Sequence, residues 1–441
     1  MLKRIIAVLI STMMIFSLVA CGSGSNEQGA STEVNEEGKV VVNMWRHEGT
    51  PKESEYYNQL VEDFNSSQDS IELKVTSLPD ATYMEQVNAA ILSNDLPDLL
   101  DLDGPQMAGF ANVGALTPID SFISDTLKND LLPSIIDQGT YEDGHIYALG
   151  QFESGLSFWA NKSLLEEAGV RIPTLDSPWD TAEFYESLDK LKALDSVQYP
   201  LDIKLNYGTG YWIYSYLPFV ASFGGDYFDS TDFSANGALN SDASIKAFEM
   251  VQEMAEKGYI NGNQSTDDDF YGSKISALSL VGHWMYPTHT SEEGLGEDAI
   301  LIPFPDFGKG VKTGSGSWAW SMTSAAKEHN VEDEVWTVLE YLLSESALAG
   351  IFEANGAIPS RVSVLDQIPE FQENGILYLY REQLEKGHAK VRPVTPVFGV
   401  IQSEVGEAAM NIIKGSDVLE ELNKAVEEID QTVEDNGYHG K

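Results

Sequence analysis

A single cysteine, Cys21, occurs in the 441 residues, so no disulfide can form within one chain and stability must come from packing. Basic residues are scarce too: 26 Lys and Arg stand against 70 Asp and Glu, a formal net charge of −44. Such a chain repels a phosphate backbone, which argues against nucleic acid or another polyanion as partner. Solubility in an exposed medium is the simpler consequence of the charge. Several catalytic motifs are missing. There is no Gly-x-Ser-x-Gly elbow, no His-Glu-x-x-His pair (His47-Glu48 runs on to Pro51) and no Gly-Lys-Ser/Thr phosphate loop. Asp232-Phe-Ser-Ala-Asn236-Gly237 opens like a calcium loop, but Ala243 stands where a bidentate glutamate is required, so a hairpin turn is expected. His283 and His289 lie near Glu292 and Glu293 at a spacing too irregular for a metal site. No metal and no cofactor are expected.

The N-terminus carries an apolar run, Ile5–Val19, behind the basic pair Lys3 and Arg4. It is too short for a comfortable transmembrane helix. Leu18-Val19-Ala20-Cys21 closes it and resembles the cleavage site of a bacterial lipoprotein signal, which implies removal of residues 1–20 and lipidation of Cys21. Two of the 26 basic residues leave with that segment, so 24 face 70 acids and the charge becomes −46. Residues 21–38, rich in Gly, Ser, Asn and Glu, read as a flexible tether. The remaining chain, with 42% hydrophobic residues over the whole sequence, is long enough for two domains with real cores.

Along the chain, strands and helices alternate. Val40–Val42 opens a strand ending at Trp45-Arg46-His47-Glu48-Gly49, and Leu60 and Phe64 mark a helix. Ile71–Val75 alternates as a strand, Tyr83, Val87, Ala90 and Ile91 mark a second helix, and Asp98–Asp103 reads as a third strand with a polar end. That is a βαβαβ pattern, hence a parallel sheet flanked by helices. Ile275–Val281 is expected to be a buried parallel strand, followed by Gly282, His283 and Trp284. Ligands of open α/β sheets sit outside the carboxyl ends of strands, which makes Trp284 the leading candidate for a cleft wall, with ordinary core as the alternative. Tyr211–Phe223 is crowded with aromatic residues, and Val418, Leu422, Ala425, Ile429 and Val433 mark a final amphipathic helix.

Taken in order, the motifs resemble the extracellular solute-binding proteins of bacterial ABC importers, in the carbohydrate-binding, maltose-binding-protein-like group. The matching stretches are Asn94-Asp-Leu-Pro-Asp98, Tyr147-Ala-Leu149, Trp159-Ala-Asn161-Lys162, Glu167-Ala-Gly-Val170, Pro178-Trp179-Asp180, Gly224-Gly225-Asp226, Gly282-His-Trp284 and Ile358-Pro359-Ser360-Arg361. Trp159-Ala160 and Gly150 depart from the usual residues of that group. The resemblance implies a two-lobed α/β fold, each lobe a mostly parallel sheet with helices, joined by a hinge. The lobes are expected at 39–152 plus 306–350 and at 153–305 plus 351–441. It also implies a carbohydrate ligand held between the lobes, permease subunits of an ABC transporter as partners, a monomer, and a lipid-anchored place on the extracytoplasmic face of the membrane.

A sugar needs directed hydrogen bonds and flat apolar walls. His47 and Glu48 end the first strand and are candidates, or else a solvated loop. Asp103 offers two acceptors or caps a helix. Glu153 resembles an acidic contact of the family or is a hinge-surface carboxylate. Of the tryptophans, Trp284, Trp212 and Trp318 are the cleft candidates. Gly316 and Ser317 could offer backbone donors, and Arg361 could fork onto a pair of oxygens or hold a salt bridge. Two other functions stay open: a lipid-anchored enzyme on extracellular polysaccharide, since paired acids for glycoside hydrolysis are not excluded among 70 carboxylates, and the same fold binding a peptide, polyamine or phosphorylated polyol.

Overall fold

The computed structural model describes residues 32–438, so the expected signal segment 1–20, the lipidation site Cys21 and most of the expected tether lie outside it. Residues 32–38 do not behave as tether. Val34 bridges back to Val40, the Asn35 side chain accepts from the N–H groups of Glu37 and Lys39, and Thr32 Oγ1 donates to the His329 carbonyl at 2.9 Å. Local hydrogen bonds of an Asx turn overcome the composition here.

Strands Val40–His47, Ile71–Leu78 and Leu99–Asp103, separated by helices Pro51–Ser67 and Asp80–Ser93, build the expected parallel unit, with Val40–His47 in the middle. Thr50 caps the first helix by accepting the Glu53 N–H, and Tyr57, Leu60 and Phe64 bury its inner face. Asn94, left-handed at φ 54°, ends the second helix by returning its N–H to the Ile91 carbonyl. Two more strands complete this five-stranded sheet. Trp318–Met322 lies antiparallel between Leu99–Asp103 and Leu149–Gly150.

The second sheet has the order Leu201–Asp202, Leu278–Gly282, Leu156–Asn161, Ala299–Ile302, and only its first pairing is parallel. Both sheets are therefore mixed rather than mostly parallel. Strands Leu156–Asn161 and Trp318–Met322 begin where the chain has just crossed between the lobes, at the cleft end, so they run against neighbours that finish there. The strand expected from Ile275 starts later, at Leu278. Lys274 sits at φ 54°, and the N–H groups of Ile275 and Ser276 both turn to the Asp269 carbonyl.

Helix Thr209–Phe223 absorbs the aromatic stretch. It stacks Trp212 on Tyr216 at 4.3 Å and Tyr216 on Phe219 at 4.7 Å, inside the second core. Asp417 caps the final helix Val418–Asp435, whose Leu422, Ala425, Ile429 and Val433 are buried.

Between the lobes lie two short pairings, Phe152–Glu153 with Ile358–Pro359 and Thr313–Ser315 with Ala389–Val391. Packing does not follow the expected boundaries at 306 and 350. Phe307 stacks on Phe223 at 4.8 Å and the Lys309 N–H bonds the Ser222 carbonyl, so this stretch stays with the second lobe. Residue 350 lies inside helix Glu345–Asn355, which Tyr56 of the first lobe grips through the Ala347 carbonyl at 2.7 Å.

Candidate functional site

The strand ends of both sheets open onto one cavity of about 580 Å³. From the first lobe come His47 at the end of its strand, Asp103 at the end of another, and Ser317 and Trp318 at the start of the antiparallel strand beside it. Register explains the gathering: Trp318 pairs directly with Asp103 across the ladder. The His47 and Trp318 rings lie stacked, 3.6 Å between centroids and 13° from parallel, with Tyr83 set edge-on behind both. Together they form a flat slab.

A buried set of charges holds that slab. His47 Nδ1 lies 2.5 Å from Asp101, which Gln151 also donates to, and Nε2 lies 3.8 Å from Glu53, itself 3.8 Å from Arg46. Burial by itself disfavours the imidazolium, yet Asp101 and Glu53 outweigh burial and the opposing Arg46, and the His47 pKa stands above its usual value. Burial pushes Glu53 up as well, with His47 and Arg46 pulling the other way.

The second lobe answers with aromatic edges. Gly282 is required for space: a Cβ there would lie 2.1 Å from the Trp284 ring, which folds back across it to face the cleft. Tyr211 meets Trp284 edge to face at 6.0 Å, Tyr207 meets Tyr211 at 5.0 Å, and Tyr214 follows one turn on. Their hydroxyls are tied down, Tyr211 to the Leu280 carbonyl at 2.7 Å and Tyr207 to Asp267 at 2.9 Å. Burial raises the pKa of both, so they remain neutral. His283 lines the same wall. Burial lowers its pKa to about 4, so its ring is neutral near pH 7, and Nδ1 donates to the Asn355 carbonyl. Phe152, Ser154 and Arg392 close the back, and Gln106 and Gln402 add amide groups.

Five of the ten expected ligand residues, His47, Asp103, Trp284, Ser317 and Trp318, line this cavity. The others lie elsewhere. Trp212 is 2% exposed and stacked in the second core, on the inward face of the helix that carries the tyrosines. Glu48 is exposed, and its carbonyl serves Arg46 and Ser54. Arg361 pairs with Asp130 at 2.7 Å, away from the cavity. Gly316 donates its N–H to Glu153, and both sit behind the cleft wall rather than in it. Among the residues missed, Tyr211 and Tyr214 carried a partial signal. They lie one turn apart on helix Thr209–Phe223, on a face separate from that of Trp212 and Tyr216, while Tyr207 ends the short turn before Gly208. Arg392, Gln106 and Gln402 carried none.

Two mixed α/β lobes joined by paired crossing strands, with an aromatic and hydrogen-bonding cavity between them, define a two-lobed ligand-binding protein. The model of the bacterial extracellular solute-binding protein family matches residues 49–349, and the chain belongs to that family, whose members are binding proteins working outside the cytoplasm. The chain is 25% identical to the maltotriose-binding protein of Pyrococcus abyssi, over 89% of this chain and 82% of that one. It is 22% identical to the diacetylchitobiose binding protein DasA of Streptomyces coelicolor, over 81% and 82%. Among solved structures, the GacH receptor of Streptomyces glaucescens superposes with a TM-score of 0.74 at 20% identity, covering 89% of this chain and 97% of the receptor. Maltose-bound MalE3 of T. maritima gives 0.74 at 18%, covering 89% and 99%.

Because the folded pKa of His47 is raised, its contribution to stability is complete below the unfolded value of about 6.5 and fades as pH climbs through the folded value. Denaturant unfolding of wild type and His47→Gln from about pH 5 to about pH 9 is expected to show the largest gap at the acid end, shrinking upward. A gap independent of pH would mean that the Asp101 contact adds nothing as an ion pair.

Proposed function

We propose that this protein is a lipid-anchored, extracytoplasmic receptor that binds a sugar or oligosaccharide between its lobes and hands it to the permease of an ABC transporter. The observation that carries this reading is the cavity itself. Its volume, about 580 Å³, lies within the range of small-molecule sites, roughly 300–1,000 Å³. It sets a flat slab, His47 on Trp318, in the first lobe and the Trp284–Tyr211 pair in the second, with amide, carboxylate and hydroxyl groups around them. Saccharides have the matching anatomy, C–H faces above and below a rim of hydroxyls. Each net hydrogen bond adds only about 0.5–1.5 kcal/mol, so groups from both lobes must converge before binding is tight. Contacts complete only when the lobes draw together bias the hinge toward closure. Names of relatives, a maltotriose- and a diacetylchitobiose-binding protein, support the same ligand class. Anchoring rests on the lipoprotein-like Leu18-Val-Ala-Cys21 sequence.

A thermal-shift panel of glucose, galactose, maltose, maltotriose, cellobiose and diacetylchitobiose tests the ligand class. A true ligand at about 100 times its Kd adds about 2.7 kcal/mol of stability, and solution scattering should show a more compact particle with that sugar. No shift and no compaction with any of the six would sink the reading. With the sugar so identified, Trp284→Ala is expected to weaken binding at least tenfold, about 1.4 kcal/mol, with the melting temperature of the ligand-free protein nearly unchanged. A loss of several degrees without ligand would instead make Trp284 a core residue. Cys21→Ala should move the protein from the membrane fraction to the medium, and continued membrane retention would contradict the anchor.

A further inference from the structure

Arg392 is the only Lys or Arg among the described residues that line the cavity, and it is not free. Its Nη1 and Nη2 donate to Asp103 Oδ2 and Oδ1 at 2.7 and 2.5 Å, a two-pronged pair with side chains only 7% and 20% exposed. The guanidinium lies over the Tyr214 ring, 5.0 Å from its centroid. Gly316 leaves it room, since a Cβ there would come within 2.9 Å of Nη2. The prongs that would grip a carboxylate are thus filled by the protein's own carboxylate.

No other side chain lining the cavity offers an anion an unpaired positive charge. Arg46 and His47 are matched by Glu53 and Asp101, which leaves Asp80 at the rim as an added negative charge. Outside, the net charge of the whole chain repels anions further.

We propose that Asp103 is a specificity-determining residue: by occupying Arg392 it makes the cleft take uncharged saccharides and reject those bearing carboxylates. This rests on the saccharide reading above. It assigns Asp103 to masking a cation rather than to accepting sugar hydroxyls alone. Rejection comes from the absence of an unpaired cation, so exposing one should reverse it.

The test uses calorimetric titration of the full protein with the neutral sugars of the panel that shift its melting temperature, each beside its counterpart oxidised at C6 from primary alcohol to carboxylate. Wild type is expected to prefer the neutral member at least tenfold. Asp103→Asn, which keeps the shape but not the charge, should narrow or invert that preference by a further factor of ten or more. The change should vanish in the double variant Asp103→Asn/Arg392→Gln. Asp103→Ser serves as a second probe, and circular dichroism melting checks that each variant is folded. Equal wild-type affinity for both members overturns the inference, as does an unaltered ratio in whichever folded variant is measured. Both of those outcomes leave the saccharide reading standing. Failure of wild type to bind any sugar of the panel overturns the two together.

Discussion

Glu153 has no exposed surface, and a carboxylate stripped of water is tolerated only where donors fill its oxygens. Here Gln138 Nε2, Ser315 Oγ and the N–H groups of Gly316 and Ser154 do so, at 2.9 to 3.2 Å. Burial still pushes its pKa up against those bonds. Its donors come from different stretches of chain that meet where the lobes join, and Glu153 itself lies in the strand pairing with Ile358–Pro359. One buried, four-times hydrogen-bonded carboxyl group therefore ties the crossing segments together. Trp318, Ser317, Ser154 and Phe152, which face the cavity, are all within two residues of this knot or of its donors.

The two cavity walls are made differently, and this follows from where their backbones end. The first lobe presents strand termini, so its side chains arrive in pairs across a ladder and can stack or pair as charges: His47 on Trp318, Asp103 beside Trp318. A flat ring pair over buried ions is stiff. The second lobe presents a strand terminus and the first turns of a helix, so its aromatics meet edge to face and pin their hydroxyls on backbone or carboxylate. Both walls enter the cavity with few rotamers left to lose, which lowers the entropic cost of holding a ligand.

Much of this was legible beforehand. His47, Asp103 and Trp284 sit at strand ends that hydrophobic patterning marks, and the rule that ligands collect at such ends needs no tertiary information. Trp318 was readable from the glycine–serine turn before it. Failure came where a choice depended on rotation or on distant partners. Trp212 and Tyr211 are neighbours on one helix, and spacing groups Tyr211 with Tyr214 and Trp212 with Tyr216, but a segment apolar on every side does not say which group faces the core and which the cleft. Arg361 and Arg392 are equally basic in the sequence, but Asp130 takes one and Asp103 the other. Glu153 resembled a contact, and desolvation among four donors turned it into part of the frame.

The sequence by itself determined the class of fold, the alternation of strands and helices, the acidic surface and the family, because periodicity, composition and motif order are local or additive properties. Only the tertiary structure decided that the sheets are mixed, where the lobes divide, which aromatics face the cavity between them and which cation Asp103 pairs with. Those depend on the direction in which a strand re-enters after a crossing and on pairs of side chains hundreds of residues apart, such as Asp103 with Arg392. Chain order carries no signal for either.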